Sequence, residues 1–312
     1  MKIPFENTIS SAYRFAFSNI LSIIGIAWFP YLILSAAVGA LLYRMWPVFI
    51  AFMNAADAAK AAGKRPDPAE IQAFMVSFFG SYALVVPLVL LMTAMVVVGM
   101  MRKALGLHPR PVFIFFSLGG QVWRLIGAYC LLFIMAYGGA ILAVLLVAIA
   151  AALLNGVSQQ ASIITAVVLG IVAALAYIYS FVRLYFFLPA VVVAENRIGL
   201  GRSWQLGGGN FWRIVGTVLL VTLPLALVTS VVLPSILQIF VVTDLGSLPS
   251  HPESAQKTLE DMLRMVGKVL PIFVALQLIQ SILTTALNVG AAAAAYRSVT
   301  GYGESGAPEV AA

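Results

Sequence analysis

Charge is scarce in this chain. Only 9% of its 312 residues are Asp, Glu, Lys or Arg, against ~25% in an ordinary soluble domain, while 62% are hydrophobic. A water-soluble fold is excluded by that balance. Cysteine is almost missing: Cys130 stands alone, so no intramolecular disulfide forms, and within an apolar run it reads as a small buried hydrophobe. The two histidines, His108 and His251, fall in segments predicted on opposite sides of a membrane, and no His, Cys or carboxylate cluster has the spacing of a metal site. Ser203 has no histidine beside it and no acid nearer than Glu195, which leaves a serine nucleophile without its base. Gly207-Gly208-Gly209 lacks the Lys-Ser/Thr of a phosphate loop. The chain therefore reads as non-enzymatic, with no cofactor implied.

What fills the sequence instead is six apolar runs, at about 20–43, 71–101, 125–154, 162–193, 214–242 and 266–296. A bilayer core takes ~20 helical residues to cross, and backbone amides in hydrocarbon must bond within their own helix. The stretches outside the runs, about 44–70 and 243–265, are shorter than the ~40 residues an unstapled soluble core needs. Residues 1–312 are thus expected to be one all-α integral membrane domain with six transmembrane helices. The first run continues past Ser35–Ala40 and follows an amphipathic stretch with Glu6, which reads as a retained anchor rather than a cleaved signal.

Orientation follows from Lys and Arg, which resist translocation. With the N-terminus inside, ten of them fall on the inner side and seven on the outer, so both termini are predicted cytoplasmic. The +7 net charge is accounted for by that asymmetry, and nucleic acid is not an expected partner.

Two inner loops resemble one another. Ser117-Leu118-Gly119-Gly120-Gln121-Val122-Trp123-Arg124 aligns, with one inserted Gly, on Gln205-Leu206-Gly207-Gly208-Gly209-Asn210-Phe211-Trp212-Arg213, and Phe17 to Gly25 is a fainter copy. The returning runs end at Arg102, Arg197 and Arg297, spaced 95 and 100 residues apart. Three pseudo-repeated hairpins are expected, each preceded by an interfacial amphipathic helix on the cytoplasmic side. For the first of these, Phe5, Ile9, Ala12, Tyr13, Ala16 and Phe17 share a face, with Glu6, Asn7, Ser10, Ser11, Arg14 and Ser18 mostly elsewhere, a pattern suited to lying in the headgroup layer. Asp67-Pro68-Ala69-Glu70 and Ser250-His251-Pro252-Glu253 have helix-start spacing. Pro30, Pro87, Pro189, Pro224, Pro234 and Pro271 sit inside runs as candidate kinks, and the small residues from Ala286 to Ala295 around Gly290 invite close approach by another helix.

One formal charge is stranded. Arg183 lies 11 residues before Ala194 in the fourth run, about 16 Å along an unbroken helix, where an arginine costs ~2.5–3.5 kcal/mol. Either it snorkels along Tyr185 and Phe186, or it grips a phosphate or carboxylate. Arg183, Tyr179, Tyr185, Gln277, Gln280 and Asn288 form the candidate intramembrane anion or lipid site. Arg102, Lys103, Arg110, Trp123, Arg124, Arg197, Arg202, Trp204, Trp212 and Arg213 form an interfacial basic and aromatic rim suited to an anionic leaflet.

The segments Arg183-Leu184-Tyr185-Phe186-Phe187-Leu188-Pro189, Ala194-Glu195-Asn196, Arg202-Ser203-Trp204-Gln205-Leu206 and Gly209-Asn210-Phe211-Trp212-Arg213 resemble a bacterial family of six-helix inner-membrane proteins. That family includes the membrane domain of some glycerophosphodiester phosphodiesterases. Their catalytic barrel, rich in His and Glu, has no counterpart here. The resemblance implies an inner-membrane module that binds, presents or senses phospholipid-like molecules, with membrane phospholipids as partners. A small-solute transporter or channel, and a scaffold that assembles with another membrane protein or with itself, are the alternative readings.

Overall fold

A computed structural model of the chain describes residues 2–63, 67–107, 113–156, 158–245 and 255–302. The described residues form nine α-helices and no strand: α1 (Phe5–Ser18), α2 (Ile20–Ala61), α3 (Pro68–Ala104), α4 (Gly120–Asn155), α5 (Gln159–Tyr185), α6 (Leu188–Glu195), α7 (Leu200–Gly207), α8 (Phe211–Leu245) and α9 (Ala255–Thr300). Among them are six stretches long and apolar enough to cross a membrane, so the chain is a multi-pass helical membrane protein. Successive long helices pair most extensively with each other, α2 with α3, α4 with α5, and α8 with α9.

Several helices outrun the apolar stretches that announced them. α2 continues through Pro47 to Ala61, about 63 Å at 1.5 Å per residue, so most of 44–70 is helix rather than loop. Alanines and other good helix formers from Ala51 to Ala61 carry the helix past the end of the apolar run. α3 begins at the expected cap, where the Asp67 carboxylate accepts from the Ala69 amide at 2.9 Å and Pro68 occupies the first turn. The matching start at Ser250–Glu253 lies outside the described residues.

The fourth run is one candidate span, Gln159–Glu195, interrupted at Phe186–Phe187. Proline has no amide hydrogen and crowds the carbonyl four residues earlier; for Pro189 that residue is Tyr185, and there α5 ends. Pro30, Pro87, Pro224, Pro234 and Pro271 remain inside continuous helices. The chain restarts as α6, whose residues Leu188 to Val193 are all buried, as a short helix apolar on every side must be. α6 ends at Asn196, which adopts the left-handed conformation (φ 55°) that stops helices.

Buried side chains gather at one end of the bundle, where α1, α6 and α7 meet the adjoining ends of α2, α3, α4, α8 and α9. α1 lies against α8 and α9. Thr8, Ala12 and Ala16 are its buried residues, the Tyr13 hydroxyl donates to the Leu220 and Val221 carbonyls, and Glu6, Asn7, Ser10, Ser11, Arg14 and Ser18 are exposed. The polar face is as expected, but the apolar one is taken up by protein, and Phe17 is 62% exposed instead of sharing it. Gly290 makes this possible: a Cβ there would come within 3.1 Å of the Ala12 Cα. The small-residue face of α9 thus receives the chain's own α1.

Before α8 the short helix α7 is present, but the described part of the segment before α4, 113–119, is not helical. Phe115 is buried there, while Phe113, Ile114 and Phe116 are exposed. Cys130 is exposed on α4, not buried.

Candidate functional site

Arg183 sits in the last turn of α5, so its depth cannot be reckoned along an unbroken helix to Ala194. Its guanidinium points to α7. Nη1 donates to the Tyr179 hydroxyl at 2.8 Å, Nη2 donates to the Trp204 carbonyl at 2.8 Å, and the guanidinium carbon lies 3.9 Å from the Trp204 ring centroid. Nε is buried without a hydrogen-bond partner. A cation over an indole face, at a helix end that exposes carbonyls, is offset electrostatically without a carboxylate.

α7 reaches this position because two of its residues are small. The Ser203 hydroxyl donates to the Leu184 carbonyl at 2.6 Å, one of the helix-end carbonyls left without an amide. A Cβ on Gly207 would lie 3.0 Å from the Arg183 carbonyl oxygen. Ser203, considered for nucleophilic chemistry in the sequence, is fully buried and bonded to backbone.

The candidate intramembrane residues separate into three groups. Arg183 and Tyr179 belong to the α5–α7 contact. Tyr185 and Asn288 line a different feature, a cavity of about 530 Å³ enclosed by α3, α4, α5, α6, α8 and α9. Gln277 and Gln280 line neither the cavity nor the Arg183 contact.

The cavity wall is mainly apolar, including Val97, Met101, Val182, Val218 and Val289, and its polar groups are Thr93, Tyr129, Tyr185, Thr284, Thr285 and Asn288. The proline break forms part of it, through Phe186 and Pro189. Tyr129 and Tyr185 stack with ring centroids 6.0 Å apart. Asn288 donates one amide hydrogen to the Thr284 carbonyl at 3.0 Å, which leaves its carbonyl oxygen and second hydrogen. Phe181, Tyr185 and Leu219 are lining residues that are also exposed, so the cavity opens sideways between α5 and α8. Tyr129, Thr93, Thr284 and Thr285 escaped sequence reasoning because a lone hydroxyl residue in an apolar run looks the same whether it faces a cavity or a neighbouring helix.

The rim residues occupy the packed end. Glu195 gathers Arg197 at 2.5 Å, Arg202 at 3.3 Å and the Tyr296 hydroxyl at 3.1 Å, a junction of α6, α7 and α9 that sequence reasoning missed because Tyr296 is 101 residues away. Arg213 donates to the Ile3 carbonyl at 2.6 Å while Asn210 accepts from the Ile3 amide at 3.1 Å, pinning the N-terminal segment to α8. Arg297 donates to the Ala104 carbonyl at the end of α3. Arg102 and Lys103 lie in the last turn of α3, and Arg124 near the start of α4. Trp123 and Trp212 are exposed, whereas Trp204 is engaged by Arg183. Arg110 lies outside the described residues. No family model, curated protein or solved structure matches the chain.

Proposed function

We propose that this protein is a non-enzymatic component of the bacterial inner membrane that binds, and thereby presents or senses, a phospholipid-like amphiphile, with both termini in the cytoplasm and its three helix pairs related as repeats. The observation that carries the reading is the sideways-opening cavity of about 530 Å³. Its size falls within the ~300–1,000 Å³ of small-molecule sites. Apolar walls suit an acyl chain. Tyr129, Tyr185, Thr284 and Asn288 offer hydrogen bonds to ester or glycerol oxygens, and a mouth between α5 and α8 admits a molecule from the bilayer. Contact with ligand falls to these residues, while Arg183, with its two terminal nitrogens already engaged, holds α7 against α5 behind them. The bacterial inner membrane is inferred from the family resemblance, and the inward termini from the excess of Lys and Arg.

Native mass spectrometry of the protein from gentle detergent tests this. The unaltered chain is expected to retain lipid, Thr284→Phe to lose it by filling the cavity, and Leu145→Trp, on the exposed face of α4, to keep it. Undiminished lipid in Thr284→Phe removes the reading.

A further inference from the structure

A second cavity, of about 410 Å³, lies at the packed end where the end of α3, the start of α4 and the end of α6 meet. We propose that it binds a phosphoryl anion, gripped by Arg102 and Arg124. Both side chains line it, and no acidic residue appears among its described lining residues. The Arg102 Nε is buried and has no hydrogen-bond partner. Arg124 donates through Nη1 to the Asn196 side-chain oxygen, a neutral group that leaves its charge uncompensated. One guanidinium has a buried Nε and the other bonds Asn196 at an exposed position; sharing a cavity without a carboxylate they repel each other, and an anion between them turns that repulsion into attraction.

The local geometry is shaped for oxygen atoms. Arg124 folds back along its own helix, so that its guanidinium carbon lies 3.7 Å from where a Cβ of Gly120 would stand. A Cβ there would be in ordinary van der Waals contact with the guanidinium. Gly119 occupies the position before α4 and supplies no side-chain cap, and its own amide is held by the Ser117 hydroxyl at 3.3 Å. The Gly120 amide, in the first turn, has no carbonyl four residues back within the helix, and it adds a donor beside the two arginines. Other arginines of the same rim are differently placed. Arg197 and Arg202 share the Glu195 carboxylate, and Arg213 and Arg297 are bonded to backbone carbonyls. Planar guanidinium forks match phosphoryl oxygens, which a lipid headgroup and free phosphate both present.

The full-length protein in neutral detergent distinguishes these sources. One arm titrates inorganic phosphate against thermal unfolding, with chloride at matched ionic strength as control. The other measures, by native mass spectrometry, retention of phosphatidylglycerol from nanodiscs of phosphatidylcholine and phosphatidylglycerol. A saturable response to phosphate assigns the site to a free anion, and selective retention of phosphatidylglycerol without a phosphate response assigns it to a headgroup. In either case Arg102→Gln and Arg124→Gln should each weaken the response roughly tenfold, the loss of a charge-assisted hydrogen bond. Arg14→Gln, which removes an exposed charge from α1, should leave it intact. Should one cavity variant fail to fold, the other and the chloride control decide. Response to neither probe, or equal loss in Arg14→Gln, overturns the proposal. The bundle cavity plays no part in it, so filling that cavity with Thr284→Phe should not alter the phosphate response.

Discussion

The two ends of this bundle are built on different rules. At the packed end, α6 is sheathed on all sides and buried alanines and glycines let helices touch. Polar side chains there bond across elements: Ser203 to α5, Arg213 to the N-terminal segment, Gln121 to the Val193 carbonyl. Toward the other end, each helix pair mainly contacts itself. Half of the most apolar stretch of α3 and of α9 is buried, 53% and 50%, but only 6% for α4 and none for α5. The α2–α3 pair is joined there by Phe52, Phe74, Phe78 and Tyr82, whose successive ring centroids are 4.7, 5.9 and 4.6 Å apart. Lipid tails are as apolar as leucine, so hydrophobicity alone gives helices in a bilayer no reason to associate. Association follows close packing and polar bonds, and these are concentrated where the short helices lie.

A matched pair of glycine substitutions puts the largest strain on that contrast. In Gly290→Leu the new Cβ meets Phe15 at 3.0 Å and the Ala12 Cα at 3.1 Å, whereas at Gly170 on α5 nothing lies within 4 Å. Gly290→Leu should cost about 1–3 kcal/mol or more by overpacking, and Gly170→Leu no more than about 0.5 kcal/mol. Reversible unfolding in mixed micelles measures both. Equal costs would erase the distinction between the ends.

Serine gives the next comparison. Ser203→Ala leaves the buried Leu184 carbonyl without its donor, while Ser162→Ala removes a 2.7 Å bond to the Ala151 carbonyl in the α4–α5 pair. The first should cost about 1–3 kcal/mol, and the second nearer the ~0.6 kcal/mol average of polar bonds between membrane helices.

Arg183→Lys sharpens the account of α7. A lysine keeps the charge but cannot span the Tyr179 hydroxyl and the Trp204 carbonyl while lying flat on the indole. The expected cost is about 0.5–2 kcal/mol, and hydrogen exchange should show lost protection at α7 amides with little change in α4. Unchanged α7 protection would mean that Ser203 and Gly207 hold the helix alone.

The apolar runs revealed all six long helices because length and hydropathy suffice for a bilayer crossing. Helix ends were less legible: Ala51–Ala61 is helical without being strongly apolar. Pro189 was visible as a candidate kink, but nothing local distinguished it from Pro30 or Pro224. What sets it apart is that α6, in whose first turn it lies, is buried along Leu188–Val193. The Arg183 segment was found by its charge and Tyr179 by its position, whereas Trp204 was read as part of the rim and its contact with Arg183 was not visible. The cavity was found only through Tyr185 and Asn288, since which face of a uniformly apolar helix meets a gap depends on its partners. The α1 amphipathic pattern marked the polar face, while Phe17 leaves the apolar one, and that pattern does not tell a membrane surface from the small-residue face at Gly290.

The smallest effect concerns the open end. Leu153 is 74% exposed on α4, and Leu153→Ala exchanges contacts with lipid for contacts with lipid. Its cost in a bilayer should stay within about 0.5 kcal/mol, because no protein cavity is created. A buried leucine truncated in the same way loses about 2–5 kcal/mol. The measurement therefore reads the surroundings of α4 directly, by unfolding of the protein in nanodiscs and again after dilution in detergent. A small cost in both shows that lipid or detergent faces this helix. A core-sized cost that vanishes on dilution would mean that α4 is covered by a second copy in the bilayer, and that the looseness of the open end belongs to the isolated chain alone.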